Sequence, residues 1–172
     1  ELHIPVVVLG LSNVVVSASH DGILVADKAA SPRLKDLVDR VDERPMAEEC
    51  RWGSYRTLDF QEYPDGREVL TKRVVIHRGQ HLSCHWHSNR TEVWTILSGE
   101  GEMVTDGRMT RVRAGETYRI PPRTRHAIRA LSELEMVEVQ IGSGLTEEDV
   151  HSVAEDWEDI VGLTIADKGG GY

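Results

Sequence analysis

Hydrophobic and polar positions follow three different patterns along this 172-residue chain. At the start, Val6–Leu9 and Asn13–Ser17 are β-branched runs, and His20-Asp21-Gly22 supplies turn chemistry before Ile23–Ala26, which predicts a hairpin. Ser31-Pro32 reads as a helix start, because Ser caps free N–H groups and Pro is tolerated at the first helical position. Leu34, Leu37, Val38 and Val41 then recur at i, i+3, i+4 and i+7, one apolar stripe. The charged stretch Asp42–Glu49, interrupted by Pro45, reads as a linker.

From Arg51 the period shortens. Strands are predicted over Arg56–Phe60, Val69–His77, Glu92–Leu97, Gly101–Thr105, Met109–Val112, Thr117–Ile120, His126–Ala130 and Leu134–Ile141. Pro64-Asp65-Gly66, Arg78-Gly79, Ser98-Gly99 and Asp106-Gly107 separate them with turn chemistry. Many short strands with no intervening helix predict an all-β antiparallel sandwich or barrel. A closing helix is predicted from Thr146 as N-cap, with Glu147, Glu148 and Asp149 at the positive end of its dipole and Val150, Val153, Ala154 and Trp157 as its apolar stripe.

Composition narrows the partners. Lys and Arg number 20 against 29 Asp and Glu, a balance of 20 − 29 = −9. Such a chain has no broad attraction for nucleic acid or anionic lipid, so neither is expected as a partner. The longest apolar runs fall short of a membrane span. Two cysteines, Cys50 and Cys84, are too few for a disulfide scaffold, so a reducing cytoplasm is expected. The chain does not open with Met and is expected to begin partway through a longer protein.

Four of the eight histidines fall between His77 and His87. On a strand, residues i and i+2 share a face, so His85 and His87 are expected to point the same way. Glu92 follows, and His126 comes from a later strand. Three imidazoles and a carboxylate converging in a barrel make a divalent-metal site with open positions, suited to Zn, Mn, Fe, Co or Ni. Buried together without a metal, they would be costly to desolvate.

The run Gly79-x5-His85-x-His87-x4-Glu92-x6-Gly99 resembles the first motif of the cupin superfamily, and Gly115-x5-Pro121-x4-His126 resembles the second. Arg123 stands where that family usually has Gly, and Ala130 where it often has Asn. The resemblance implies a cupin, a double-stranded β-helix, with an N-terminal hairpin and helix and a C-terminal helix. It also implies that one divalent metal is held by His85, His87, Glu92 and His126. Trp52-Gly53-Ser54-Tyr55, Leu58-Asp59, Lys72-Arg73, Arg90-x-Glu92-x-Trp94 and Val137-Glu138-Val139-Gln140 are similar to the type II mannose-6-phosphate isomerase domain that is fused behind a mannose-1-phosphate guanylyltransferase. The segments 6–16 and 22–28 are similar to the last strands of that guanylyltransferase domain. The domains implied are 1–45, a nucleotidyltransferase-like tail and linker; 46–145, the cupin; and 146–172, the C-terminal helix and tail. Around the ligands the chain departs from the isomerase pattern Gln-x-His-x-His-Arg-Ala-Glu-His-Trp: His85 stands at the Gln, Asn89 at the second His, Thr91 at the Ala and Val93 at the third His.

The implied reaction interconverts mannose 6-phosphate and fructose 6-phosphate, a step of GDP-mannose metabolism and polysaccharide biosynthesis. Glu138 is then the candidate base, and Arg90 the group that meets phosphate or the enediolate. Lys72 and Arg73 are candidate phosphate ligands. The Gly-rich nucleotide loop of the guanylyltransferase is absent from these residues, so guanylyl transfer is not expected of them. A homodimer through sheet edges is expected. The competing readings are a non-catalytic cupin that binds a sugar or holds a dimer, and a metal-dependent cupin oxygenase.

Overall fold

A computed structural model of the chain describes residues 5–19, 22–35 and 46–166. The chain divides into two compact units, 1–47 and 48–172. In the first, β1 (Val14–Ala18) pairs antiparallel with β2 (Ile23–Asp27), from Val14 opposite Asp27 to Ala18 opposite Ile23. A 3-10 turn over Lys28–Arg33 follows. The run 6–9 carries no strand, so the hairpin begins one β-branched run later than the pattern predicts. His20, Asp21, and Leu37, Val38 and Val41 of the predicted helical stripe lie outside the described residues.

The second unit is two antiparallel sheets. The six-stranded sheet runs β10 (Thr117–Ile120), β7 (Arg90–Ser98), β12 (Leu134–Gly142), β5 (Glu68–Ile76), β4 (Gly53–Glu62), β3 (Ala47–Cys50). The five-stranded sheet runs β13 (His151–Ala154), β6 (His81–Trp86), β11 (His126–Ala130), β8 (Glu100–Thr105), β9 (Arg108–Arg113). Between them Val74, Ile76, Trp94, Ile96, Met103, Val112, Ile120, Ile128, Leu134 and Met136 close a dry core. Strand alternation assigns the other faces. Cys84 and Ala127, each next to a histidine that faces inward, pack on the outer face of the five-stranded sheet against Trp157 and Ile160 of α1 (Trp157–Ala166). No helix among the described residues is long and apolar enough to cross a membrane.

Three elements differ from the pattern. The linker stretch ends in β3, an edge strand of charged residues that its polarity concealed. The polar run His81–Trp86 forms β6, between β13 and β11. The helix predicted from Thr146 begins only at Trp157. Before it, Glu147–Asp149 forms a 3-10 turn and His151–Ala154 joins the sheet, with His151 opposite Trp86. Asp149 is held in this short turn rather than in an α-helix by the backbone N–H bonds its side chain accepts from Ser88 and Asn89.

Two turns show what their residues are for. Gly99 has φ +83°, and a Cβ there would sit 2.1 Å from the Glu133 carbonyl oxygen, so only glycine fits. Arg123 has φ +64° and donates its N–H to the His87 carbonyl at 2.6 Å. The left-handed conformation costs a non-glycine residue about 1–2 kcal/mol, against about 0.5–1 kcal/mol for the extra freedom glycine loses on folding. Arg123→Gly is therefore expected to stabilise the domain by about 0.5 kcal/mol or more in urea unfolding. A loss of stability would show that the Arg123 side chain makes a compensating contact.

Candidate metal centre

The register of β6, β7 and β11 brings the histidines and Glu92 together. His126 on β11 sits directly opposite His85 on β6. His87 follows β6 by one residue, and its carbonyl is fixed by Arg123. Glu92 faces inward on β7, opposite Gln140 on one side and Ile120 on the other. One ring nitrogen each of His85, His87 and His126 lie within 4.8 Å of one another. The ring centroids stand 4.4 to 5.3 Å apart.

Each imidazole is oriented from behind. Nδ1 of His85 meets the Ser83 carbonyl, Nδ1 of His87 the Asp149 carbonyl and Nδ1 of His126 the Thr124 carbonyl, all at 2.8 Å. A carbonyl only accepts, so Nδ1 carries the proton and the neutral ring presents a lone pair at Nε2. Nε2 of His87 and of His126 are buried without a hydrogen-bond partner. They face Glu92 oxygens at 3.0 and 3.4 Å. Two lone pairs at that distance repel unless a proton or a cation lies between them. Trp94 Nε1–H donates to Glu92 Oε2 at 3.1 Å and fixes the carboxylate.

The protonation tendencies express the same conflict. Burial, reinforced by His126, pulls His85 down to about 4, so its lone pair is available at neutral pH. Burial alone would raise Glu92, but its pairing with His126 and His87 holds it well below the usual carboxylate range. Burial alone would lower His126, and the Glu92 carboxylate outweighs that and raises it. Three inward imidazoles, one fixed carboxylate and two orphaned Nε2 atoms form a donor set that fits a divalent transition metal. The Nδ1–H bonds to carbonyls are the support such ligands need.

His85, His87 and Glu92 line a cavity of about 630 Å³ that is also lined by Tyr55, Lys72, Glu138 and Gln140. Lys72, Glu138 and Trp94 lie opposite one another across β5, β12 and β7. Glu138 is only 7% exposed. Burial, then the nearby Glu92 charge, pushes its carboxyl up to about 7, against the opposing Gln140 bond and Lys72 charge. Lys72 Nζ stands 4.4 Å from the centroid of the Tyr55 ring, and Tyr55 donates to Glu48 at 2.7 Å.

Two candidate residues are already engaged by carboxylates of the chain. Arg73 follows Lys72 on the strand and therefore faces the other way: it is outside the cavity, paired with Glu135. Arg90 borders the cavity but is 4% exposed and committed inward. Its Nε donates to Asp149 Oδ2 at 3.3 Å, its Nη1 to Gln140 Oε1 at 3.1 Å and its Nη2 to the Thr146 carbonyl. It is a tie between β7, β12 and the 146–149 turn rather than a group held out to substrate. Asp149 and Gln140 are the site residues that the sequence pattern misses. Asp149 holds Ser88, Asn89 and Arg90 through its carboxylate and His87 through its carbonyl; burial opposes the charge, but the Ser88, Asn89 and Arg90 contacts keep the carboxyl below its ordinary pKa. An acidic residue after Thr146 reads equally well as a helix-dipole charge, so no local signal distinguishes this role.

A small double-sheet barrel with a histidine–carboxylate cluster inside one end is a cupin. The family model described as "Mannose-6-phosphate isomerase C-terminal" matches residues 42–156, and the chain belongs to that family. The alginate biosynthesis protein AlgA of Pseudomonas putida is 31% identical over 166 residues, covering 91% of this chain and 32% of AlgA. The mannose-1-phosphate guanylyltransferase RfbM of Salmonella typhimurium is 32% identical over 152 residues, 83% of this chain and 30% of RfbM. The chain thus spans about a third of the length of these curated relatives. Among solved structures, the capsular polysaccharide assembling protein CapF from Staphylococcus aureus shares the fold with TM-score 0.52 and 16% identity, over 68% of this chain and 34% of CapF.

Asp149→Ala removes the carboxylate that holds the loop behind His87. It is expected to weaken divalent-metal affinity about 10- to 100-fold, read by competition with a chromophoric chelator. Unchanged affinity would mean that the Asp149 carbonyl alone orients His87.

Proposed function

We propose that this chain is a metal-dependent sugar-phosphate isomerase domain that interconverts mannose 6-phosphate and fructose 6-phosphate, a step of GDP-mannose metabolism serving polysaccharide biosynthesis. The observation that carries the reading is Glu138: a buried carboxyl, held near 7, in the same cavity as the histidine–carboxylate cluster. A base poised near the working pH is what proton transfer between adjacent sugar carbons requires. His85, His87, Glu92 and His126 would hold the metal, which when bound supplies positive charge beside the sugar oxygens where negative charge develops.

The remaining steps belong to the chain. In the open-chain aldose, Glu138 takes the proton from C2, the C2–H electrons form the C1–C2 double bond, and the carbonyl electrons move to the C1 oxygen, which takes a proton from solvent to give the cis-enediol. Glu138 then returns its proton to C1, where the C1–C2 π electrons form the new C–H bond, while the C2 hydroxyl gives its proton back to solvent and becomes the carbonyl of the ketose. Lys72, beside Tyr55, and Arg51 at the cavity mouth supply the positive charge for the phosphate. The homodimer is part of the same proposal: β3, β10, β9 and β13 end the two sheets and leave edges for pairing. Sedimentation showing only monomer at micromolar concentration would remove it.

One observation favours a second reading. Glu48, Glu155 and Asp156 also line the cavity, and Arg90 is committed to Asp149. This acidic border suits a neutral sugar better than a phosphate dianion, as in a cupin that binds sugar without catalysis. Calorimetry with mannose and mannose 6-phosphate separates the two: the isomerase reading requires the phosphate ester to bind more tightly.

The direct test is a coupled assay on metal-loaded protein. As the ionised carboxylate is the active form, kcat is expected to rise with pH as Glu138 ionises and then to level off, with the midpoint at or below about 7 because a bound cation offsets the Glu92 charge that helps raise it. Glu138→Gln is expected to lower kcat by about 10²-fold or more with metal retained. No isomerisation by the metal-loaded wild type above a protein-free blank would overturn the reading.

A further inference from the structure

The Glu138 carboxyl has a neighbour whose orientation is dictated from behind. A guanidinium only donates, so the Gln140 atom that receives Arg90 Nη1–H must be the amide oxygen. The amide nitrogen then lies on the opposite side, where it donates to Glu138 Oε1. Both side chains are buried on the inner face of β12, two residues apart. Arg90 is itself oriented by the Asp149 carboxylate and the Thr146 carbonyl. The direction of every bond from Asp149 through Arg90 and Gln140 to Glu138 is thereby set, with no freedom for the amide to flip. Oε1 is engaged at the end of this chain, on a carboxyl group that lines the cavity.

We propose that Gln140 is a positioning residue for the isomerisation: it anchors Glu138 through Oε1 and so presents Oε2 to the C1–C2 edge of the sugar, while Arg90 locks the Gln140 amide and does not itself touch substrate. This rests on the isomerase reading. The chemistry asks for such a group. A buried carboxylate that must ionise near neutrality needs a donor, and a neutral amide supplies one without the charge that would make the carboxylate too weak a base. The assignment also accounts for an arginine buried beside a cavity it does not serve directly.

Two substitutions separate positioning from packing. Gln140→Glu keeps the volume and the acceptor for Arg90 but replaces the donor to Glu138 with an acceptor. Gln140→Met removes the donor without adding charge. Isotope-edited infrared spectroscopy, with Glu138→Gln as the subtraction reference, isolates the Glu138 carboxylate stretch at about pH 9, where the group is ionised. Both variants are expected to move that band, to shift the acid limb of kcat upward by about one pH unit or more, and to lower kcat near pH 7 about tenfold. KM is expected to stay within about twofold, and metal content to stay at the wild-type level. An unmoved band and acid limb in both variants overturn the proposal even if kcat falls, because only packing was then lost. Metal loss in Gln140→Met also overturns it, by moving Gln140 into the support of the ligands. If the wild type does not isomerise at all, the isomerase reading falls by itself. The infrared band still decides whether Gln140 anchors Glu138.

Discussion

Glu92 faces the orphaned Nε2 atoms of His87 and His126, and this contact is the constraint on which the rest of the site depends. All three histidine rings have their Nδ1 protons tied to backbone carbonyls, so they cannot turn another donor towards the carboxylate. The carboxylate cannot turn away either, because Trp94 holds Oε2. The fold therefore gathers acceptors at one point in a buried place. That is unfavourable in an empty site and favourable around a cation. In the absence of a cation the conflict is relieved by protonation, as the raised His126 pKa indicates.

The six-stranded sheet serves two chemistries on one face. Towards one end, Val74, Ile76, Ile96 and Met136 belong to the dry core. Towards the other, Lys72, Glu138, Gln140 and Glu92 form rows across β5, β12 and β7. Antiparallel register keeps these rows aligned, so a carboxyl on the central strand meets a lysine on one neighbour and a tryptophan on the other. The turn before β13 completes the arrangement from the opposite sheet: Asp149 joins His87, through its carbonyl, to Arg90, through its carboxylate. The hydrogen-bond supports of His87 and of Glu138 therefore share one residue.

The histidine–carboxylate cluster was legible in the sequence because turn glycines and strand positions carry it: Gly79, His85, His87, Glu92 and Gly99 keep their spacing whatever the rest of the chain does. The strands around them were legible for the same reason, except where polarity hid them. β3 and β13 are edge strands, and β6 is a polar run broken by a register shift, with Leu82 packed on the inner core, His85 opposite His126 and His81 against Trp157. The roles of charged residues were less legible. Lys72 and Arg73 are adjacent letters, but a strand sends them to opposite faces, and only the actual register says which one meets the cavity. Arg90 is expected to meet phosphate or the enediolate because a guanidinium is a permanent forked donor. Its anion turned out to be Asp149, far away in sequence and placed by tertiary structure alone.

The central claim, that this cluster exists to hold one metal ion, is tested most directly by elemental analysis of protein purified without chelators, with Glu92→Ala and His126→Ala alongside. The account predicts close to one transition-metal ion per wild-type chain, restored after chelation by Zn, Mn, Fe, Co or Ni, and a steep loss in both variants. Wild-type protein that stays sub-stoichiometric with every one of these metals, yet remains folded, would contradict it.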